Sequence, residues 1–319
     1  MPRGNKKRKK TCYSGIGGQA VLEGVMMKNK DRYSVAVRTP EGDIDVTVEE
    51  YESFARSKAL TRIPFIRGVI NFIDSLILGI RTLNYSASFY EEETDTHKKD
   101  KLLDRMFKDN AEKVLSTITV IISIGVAVGL FILLPYYLSQ LLTKYIVSDT
   151  AVAILEGVLR VLIFVAYIVL ISCMKDIRRV FMYHGAEHKC INCIENGLEL
   201  NVENVRGSSR EHKRCGTSFL FFVVFLSVIL FIFIRVDEPV ARVVIRLLLI
   251  PVIASIAYEI IRLAGSTDNI IIRILSAPGM WLQRLTTREP DDTMIEVGIA
   301  AVEAVFDWKE YLRTNSDEL

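Results

Sequence analysis

The chain has 319 residues, half of them hydrophobic and 24% charged, with a formal net charge of +2. Its mean hydropathy of +0.28 is high for a soluble protein, so with this many charges the apolar residues must be gathered into blocks. That distribution places the chain at a membrane. Five cysteines, lying inside apolar blocks or on the side read below as cytoplasmic, argue against a disulfide framework.

Residues 1–62 form an N-terminal region. The run Gly4-Asn5-Lys6-Lys7-Arg8-Lys9-Lys10 has no interleaved aromatics and reads as a membrane-proximal basic tail, not a nucleic-acid-binding arm. Thr11-Cys12-Tyr13-Ser14-Gly15 follows in place of the apolar core of a signal peptide. The glycine-rich stretch from Gly15 to Met27 lacks any phosphate-loop spacing and reads as a tight turn entering a strand. Ser34–Arg38 and Ile44–Val48 alternate around the turn residues Thr39–Asp43, which predicts a β-hairpin with one buried face.

Residues 63–114 follow. In Ile63–Leu83 the residues Arg67, Asn71, Asp74 and Arg81 interrupt an apolar run at helical spacing. The pattern predicts an amphipathic helix lying on the membrane or against a helix bundle. Residues 91–110 read as a charged, solvated connector.

Between 115 and 264 lie four blocks long enough to cross a hydrocarbon core of about 30 Å. They run about Leu115–Leu138, Ala151–Met174, Thr217–Ile234 and Val240–Ala264. The long basic segments all fall on one side: the N-terminal run with Lys98–Lys113, the 175–216 loop, and the tail with Arg262, Arg273, Arg284 and Arg288. The positive-inside rule puts that side, both termini and the 175–216 loop in the cytoplasm of a bacterial cell. Within the blocks, Glu156 and Arg160 stand at i and i+4 and read as a mutual pair. Arg246 could neutralise Glu156 or reach lipid phosphate, and Arg242 could snorkel. Glu259 could pair with Arg262 or reach the 175–216 loop. Residues 265–319 read as a C-terminal tail, with Trp281 at interfacial depth and a helix whose apolar face is Ile295, Ile299, Val302, Val305 and Phe306. The fold class is thus a mainly α membrane protein: four transmembrane helices, a small N-terminal β-containing cytoplasmic region and a C-terminal amphipathic helix.

Chemistry concentrates between residues 184 and 215, which hold three of the four histidines and three of the five cysteines. No proline breaks Met174–Asn196, so the second span is expected to continue as one helix to a C-terminal stop at Gly197. On it His184 and His188 stack at i and i+4, Glu187 stands beside them, and Glu195 lies on the same stripe. His212 and Cys215, at i and i+3, stand at the mouth of the third span. His184-Gly185-Ala186-Glu187-His188 matches the inverted zincin pattern, two zinc-binding histidines with a glutamate as base. Two wirings remain open on spacing alone. One gathers His184, His188 and His212 with Cys215 or Glu195; the other is a closed structural site of Cys190, Cys193, His212 and Cys215.

Four stretches, Gly17–Met27, Tyr183–Lys189, His212–Phe219 and Trp281–Asp291, are together similar to the YqhQ-type family, bacterial membrane proteins of unknown function labelled as metal-dependent enzymes. The resemblance covers nearly the whole chain. It implies a site of His184, Glu187, His188, Glu195, His212 and Cys215, without Cys190 and Cys193. The expected activity is that of a metal-dependent hydrolase with a divalent ion, zinc by ligand type, and Glu187 as general base. Its substrate would be a juxtamembrane peptide or a lipid-linked group, and its other partners membrane lipids. The alternative is a non-catalytic membrane scaffold or assembly factor that the metal stabilises.

Overall fold

A computed structural model describes residues 13–55, 60–90, 111–146, 148–212, 214–234, 236, 238–266 and 270–315. The basic run before Thr11 and the connector 91–110 lie outside them. The chain divides into two compact units. One comprises residues 1–90, 170–221 and 254–319; the other comprises 91–169 and 222–253.

The first unit is built on an antiparallel sheet of order β1-β2-β3-β4: Gly17–Val21, Gly24–Asn29, Arg32–Arg38 and Ile44–Glu50. The expected hairpin is its second half. The glycine-rich stretch adds a second hairpin, β1–β2, that turns through Leu22 and Glu23, the latter at φ 49°. A single buried face was expected of β3, but Tyr33, Val35 and Val37 are buried on one side of the sheet and Ala36 on the other. The unbroken apolar run Val35-Ala36-Val37 is what a strand covered on both faces requires. Helix α1 (Ile66–Ser88) covers the first face through Leu78, and the fourth strand alternates as an edge strand.

The second face packs on two helices, α5 (Lys175–Glu195) and α10 (Asp292–Val305). Val25, Met27 and Ala36 meet Ala186, Cys190 and Ile194 of α5 and Ile295, Val297 and Ala301 of α10, all nearly inaccessible to solvent. Asp291 caps α10, its carboxylate accepting from Met294 N at 2.9 Å. The C-terminal helix expected as an interfacial tail is therefore a core element of the sheet unit, because its apolar stripe completes that face.

Among the described residues, four helical stretches are long and apolar enough to cross a membrane: Thr117–Leu142, Asp149–Ser172, Gly216–Phe233 and Val240–Leu263. The first comprises most of α2 (Ala111–Val128), a π-helical turn (Gly129–Leu133) and α3 (Leu134–Leu142). The others are α4 (Asp149–Ser172), α7 (Gly216–Phe233) and most of α8 (Pro239–Ser266). A short α6 (Val202–Gly207) lies in the 175–216 segment, and α9 (Ile270–Thr286) and α11 (Trp308–Thr314) complete the chain.

In the second unit Glu156 is buried between two arginines. Arg160 Nη2 lies 2.6 Å from its Oε1, and Arg246 donates to both oxygens at 2.6 and 3.0 Å. Arg160 Nε also donates to the carbonyl of Phe131 in the π-helical turn, at 3.0 Å. The expected Glu156–Arg160 pair forms, and Arg246 neutralises the same carboxylate.

Candidate metal centre

The second span does not run on to Asn196 as one helix. It stops at Ser172, and Met174 is extended (φ −71°, ψ 135°) before α5 begins at Lys175. The expected stop is in place: Gly197 has φ 75°, and Leu198 N returns to the Cys193 carbonyl at 3.1 Å. Both histidines lie on α5, so their i, i+4 relationship survives the break, with ring centroids 4.4 Å apart. His212 and Cys215 were expected on a helix. They sit instead in the non-helical segment that leads into α7 at Gly216.

The donors that come together among the described residues are His184, His188 and Cys215, one atom from each within 4.8 Å of the others. His184 Nε2 is 3.2 Å from Cys215 Sγ, while its Nδ1 is 2.9 Å from the Thr286 carbonyl. His188 Nδ1 is 2.6 Å from the Arg210 carbonyl. A carbonyl can only accept, so each Nδ1 carries a proton, and Nε2 is the nitrogen left to bind a metal ion once it gives up any proton of its own. A tetrahedral ion with Zn–N of about 2.0 Å and Zn–S of about 2.3 Å sets N···S near 3.5 Å, close to the His184–Cys215 distance. In chemistry and spacing this group could hold a metal ion.

Electrostatics agree with that donor set. Burial opposes a charge on Cys215, but His184 and His188 outweigh it and hold the thiol well below its ordinary range. Burial likewise opposes protonation of His184, yet the neighbouring thiolate lifts it to about 9. His188 is raised the same way. Without metal, protons take the place of the ion.

Glu187 is buried beside the group, its Oε2 3.8 Å from His184 Nε2 and 4.0 Å from His188 Nε2. Its Cγ lies against Gly18 of β1, where a Cβ would fall only 2.7 Å away. The glycine-rich strand is thus the wall behind the carboxylate.

The structure places His212 and Glu195 next to the group, joined to one another. His212 Nε2 is 3.5 Å from Glu195 Oε2, and its ring is 5.7 Å from that of His188. Arg214 meets the other carboxylate oxygen at 2.5 Å, and Ser14 donates to it from both N and Oγ at 3.0 and 2.7 Å. Burial would raise the Glu195 carboxyl, but His212, Arg214 and Ser14 bring it down to about 2. Cys190 and Cys193 turn elsewhere. The Cys190 thiol lies under Gly298 of α10, pushed well up by burial, and Cys193 faces the Leu198 and Glu199 carbonyls. The closed Cys₃His wiring does not assemble among the described residues.

Residues that spacing did not single out hold the ligands in place. Lys189 Nζ donates to the Arg206 and Ser208 carbonyls, both at 2.9 Å, and Asn192 Nδ2 to those of Ser209 and Glu211. One face of α5 thereby ties down the whole loop that delivers His212 and Cys215. Gln283, fully buried on α9, accepts from His212 N at 2.9 Å and donates to its carbonyl and to Ser218 Oγ at 2.8 Å each. Gln283 lies inside the Trp281–Asp291 stretch that carried the family resemblance, and that was the signal available.

The chain is 35% identical over 286 residues to the protein of Bacillus subtilis (strain 168) named "Uncharacterized protein YqhQ", an alignment covering 89% of each. No solved structure matches. A family described as "Protein of unknown function (DUF1385)" matches residues 63–308. The helical spans, the glycine-backed glutamate and the His/Cys group therefore belong to a member of the DUF1385 family.

Proposed function

We propose that this protein is a multi-pass membrane hydrolase of the bacterial cell membrane, metal-dependent, with its site at the cytoplasmic interface. His184, His188 and Cys215 are the ligands, and Glu187 is the general base. A divalent ion of the zinc type, held there, supplies Lewis-acid activation of water. The observation that carries the reading is the pairing of a three-donor group with a buried carboxylate that faces the same two imidazole nitrogens. Catalytic zinc sites keep three protein ligands and a free fourth position, whereas structural sites close all four.

Each neighbouring group then has a task. Glu187 takes a proton from the attacking water and returns it to the leaving group. His212, ordered by Glu195, Arg214 and Gln283 and with its ring 5.7 Å from that of His188, would help to orient a substrate beside the three ligands. Cys215 immediately precedes the apolar helix α7, which suits a substrate presented at the membrane surface, a juxtamembrane peptide or a lipid-linked group. Basic residues collected at one end of the spans support a cytoplasmic position for residues 175–216 and both termini.

Metal analysis combined with Glu187→Gln tests this reading. The variant should keep its metal and its fold and lose turnover. If Glu187→Gln behaves as wild type where His188→Ala does not, the base has no role. The metal then serves a scaffold by pinning the 206–215 loop.

A further inference from the structure

Helix α1 is amphipathic in the inverted sense. Every fourth residue on its inner face is buried: Ile70, Asp74, Leu78, Thr82 and Ser86. Three of these five are polar, and each has a partner within the protein. Asp74 accepts from Ser53 Oγ and Phe54 N at 2.6 and 2.7 Å, Thr82 donates to the Leu78 carbonyl, and Ser86 accepts from Leu22 N at 3.1 Å. The outward face carries Ile66, Leu76, Ile77, Ile80 and Leu83, all substantially exposed, and its polar residues, Ser75, Arg81, Asn84 and Ser88, begin only in the third turn. A helix lying between a protein core and water has the opposite arrangement.

Its packing partner sets a depth. The first turns of α1 lie on α8 within the stretch read as a membrane span. Gly68 sits so close to Ser255 that a Cβ would fall 2.8 Å from its Cα, and Ser255 Oγ donates to the Phe65 carbonyl. Asn71 Nδ2 reaches Tyr258 OH at 2.9 Å. Arg67 meets both oxygens of Glu259, at 2.7 and 2.5 Å, while Arg262 stands off at 4.0 Å. Ser255 precedes Leu263, the end of that apolar stretch, by about 12 Å of helix at 1.5 Å per residue. Half of a hydrocarbon core is about 15 Å. The Arg67–Glu259 pair lies about 6 Å inside the same end, where a lone charge would be costly and a two-pronged pair cancels it. The approach to α1 exposes Leu60, Ile63 and Phe65, with Arg62 exposed among them. The other end of the helix climbs to the sheet, where Tyr85 OH bonds Thr47 and Asp45 at 2.6 and 2.8 Å.

We infer that α1 is a half-inserted membrane helix, its start buried in the cytoplasmic leaflet near the depth of Ser255 and its outward apolar face covered by lipid acyl chains. The inference rests on α8 crossing the membrane. A lipid-covered α1 fixes the sheet at the membrane surface and, through the Gly18 contact with Glu187, fixes the candidate site there too.

Depth-dependent quenching tests it. Single tryptophans are placed at Phe65→Trp, Ile77→Trp and Leu83→Trp in the full chain carrying Trp281→Phe and Trp308→Phe. Val252→Trp, on the exposed side of α8, serves as reference. The proteins are reconstituted in phosphatidylcholine vesicles brominated either near the middle of the acyl chain or near the headgroup. The expected result is strong quenching at position 65 by mid-chain bromine, about twofold or more. Position 83 should respond mainly to shallow bromine, with position 77 between them. If 65, 77 and 83 are unquenched while 252 is quenched, the inference is overturned. Blue-shifted emission would then show another part of this chain or a second copy over the face, and red-shifted emission would show water. If 252 is also unquenched, the span reading of α8 fails and takes the inference with it.

Discussion

Sγ of Cys215 lies 3.2 Å from Nε2 of His184, and in the metal-free protein the two share one proton in favour of the imidazole. The thiol is held well below its ordinary range, and the imidazole is lifted from 6.5 to about 9. At pH 7 an incoming ion should therefore displace protons from histidine and none from Cys215. Titration calorimetry in buffers of different ionisation enthalpy should count at least one released proton per ion. The thiolate absorbance near 240 nm, taken as wild type minus Cys215→Ala, should persist in the apo protein to pH 6. Between pH 6.5 and about 9 the folded pair (imidazolium and thiolate) and the unfolded pair (imidazole and thiol) each hold one proton, so His184 and Cys215 together add no slope to apo-protein melting there. The raised His188 does: its contribution is complete below its ordinary value and is lost as pH rises, so melting of the apo protein should fall with pH and bound metal should remove that slope.

Glu187→Gln should leave one equivalent of metal bound and lower turnover about 10²–10⁴-fold, the usual share of a general base. His188→Ala should lose the metal. Gly18→Ala should resemble Glu187→Gln in activity, because the added methyl pushes on Glu187 Cγ. It should also lower stability by about 1–3 kcal/mol, since the Met26 carbonyl is equally close.

Glu195 is expected to set the acid limb of stability. Its carboxyl falls from 4.5 to about 2 in the folded protein, so its contribution is complete above 4.5 and disappears as pH drops toward 2. Glu195→Gln should cost about 3 kcal/mol at pH 7 through the stranded Arg214 and His212, and progressively less below pH 4. Melting curves of the two proteins at pH 7 and pH 3 should converge.

Gln283→Leu removes both partners of the His212 main chain and one of Ser218. Left unpaired in a buried position, these groups should destabilise the protein by about 2–3 kcal/mol. Because His212 is not among the three converging donors, metal affinity should change far less than turnover. Measuring the two side by side separates His212 from the ligand set.

Orientation is readable at Cys173. Cys190, Cys193 and Cys215 are buried, but Cys173 is exposed just beyond the end of α4. A membrane-impermeant thiol reagent should label it in inverted vesicles and not in intact cells. Labelling from outside would reverse the assignment of sides.

The apolar blocks were legible because length and high mean hydropathy decide them with little help from tertiary structure, even where a few charges interrupt the run. The i, i+4 histidines were legible for the same local reason. The glycine-rich stretch read as a turn entering one strand, and the pairing of two, Gly17–Val21 with Gly24–Asn29, was not legible, since it rests on a glycine demanded by Glu187 and on burial on both sheet faces. The break at Met174 left no proline or glycine to read. The role of Glu259 was equally hidden, because its partner Arg67 lies 192 positions away. Cys215 was read only as an alternative to Glu195 beside three histidines, and the tie between His212 and Glu195 depended on Arg214 and Ser14, neither of which spacing distinguishes from surface residues.

Both converging histidines are steered by peptide oxygens, those of Thr286 and Arg210. A carbonyl is present whatever side chain the residue carries. The instruction that aims each ring is therefore written in chain path and not in amino-acid identity. The side chains at 210 and 286 do not themselves set the aim, whereas a one-residue insertion or deletion between 206 and 212, or at the end of α9, would shift the carbonyls and misdirect both rings with every donor residue still present. Loop length, and not residue type, is the quantity to compare when asking which members of the family keep a working centre.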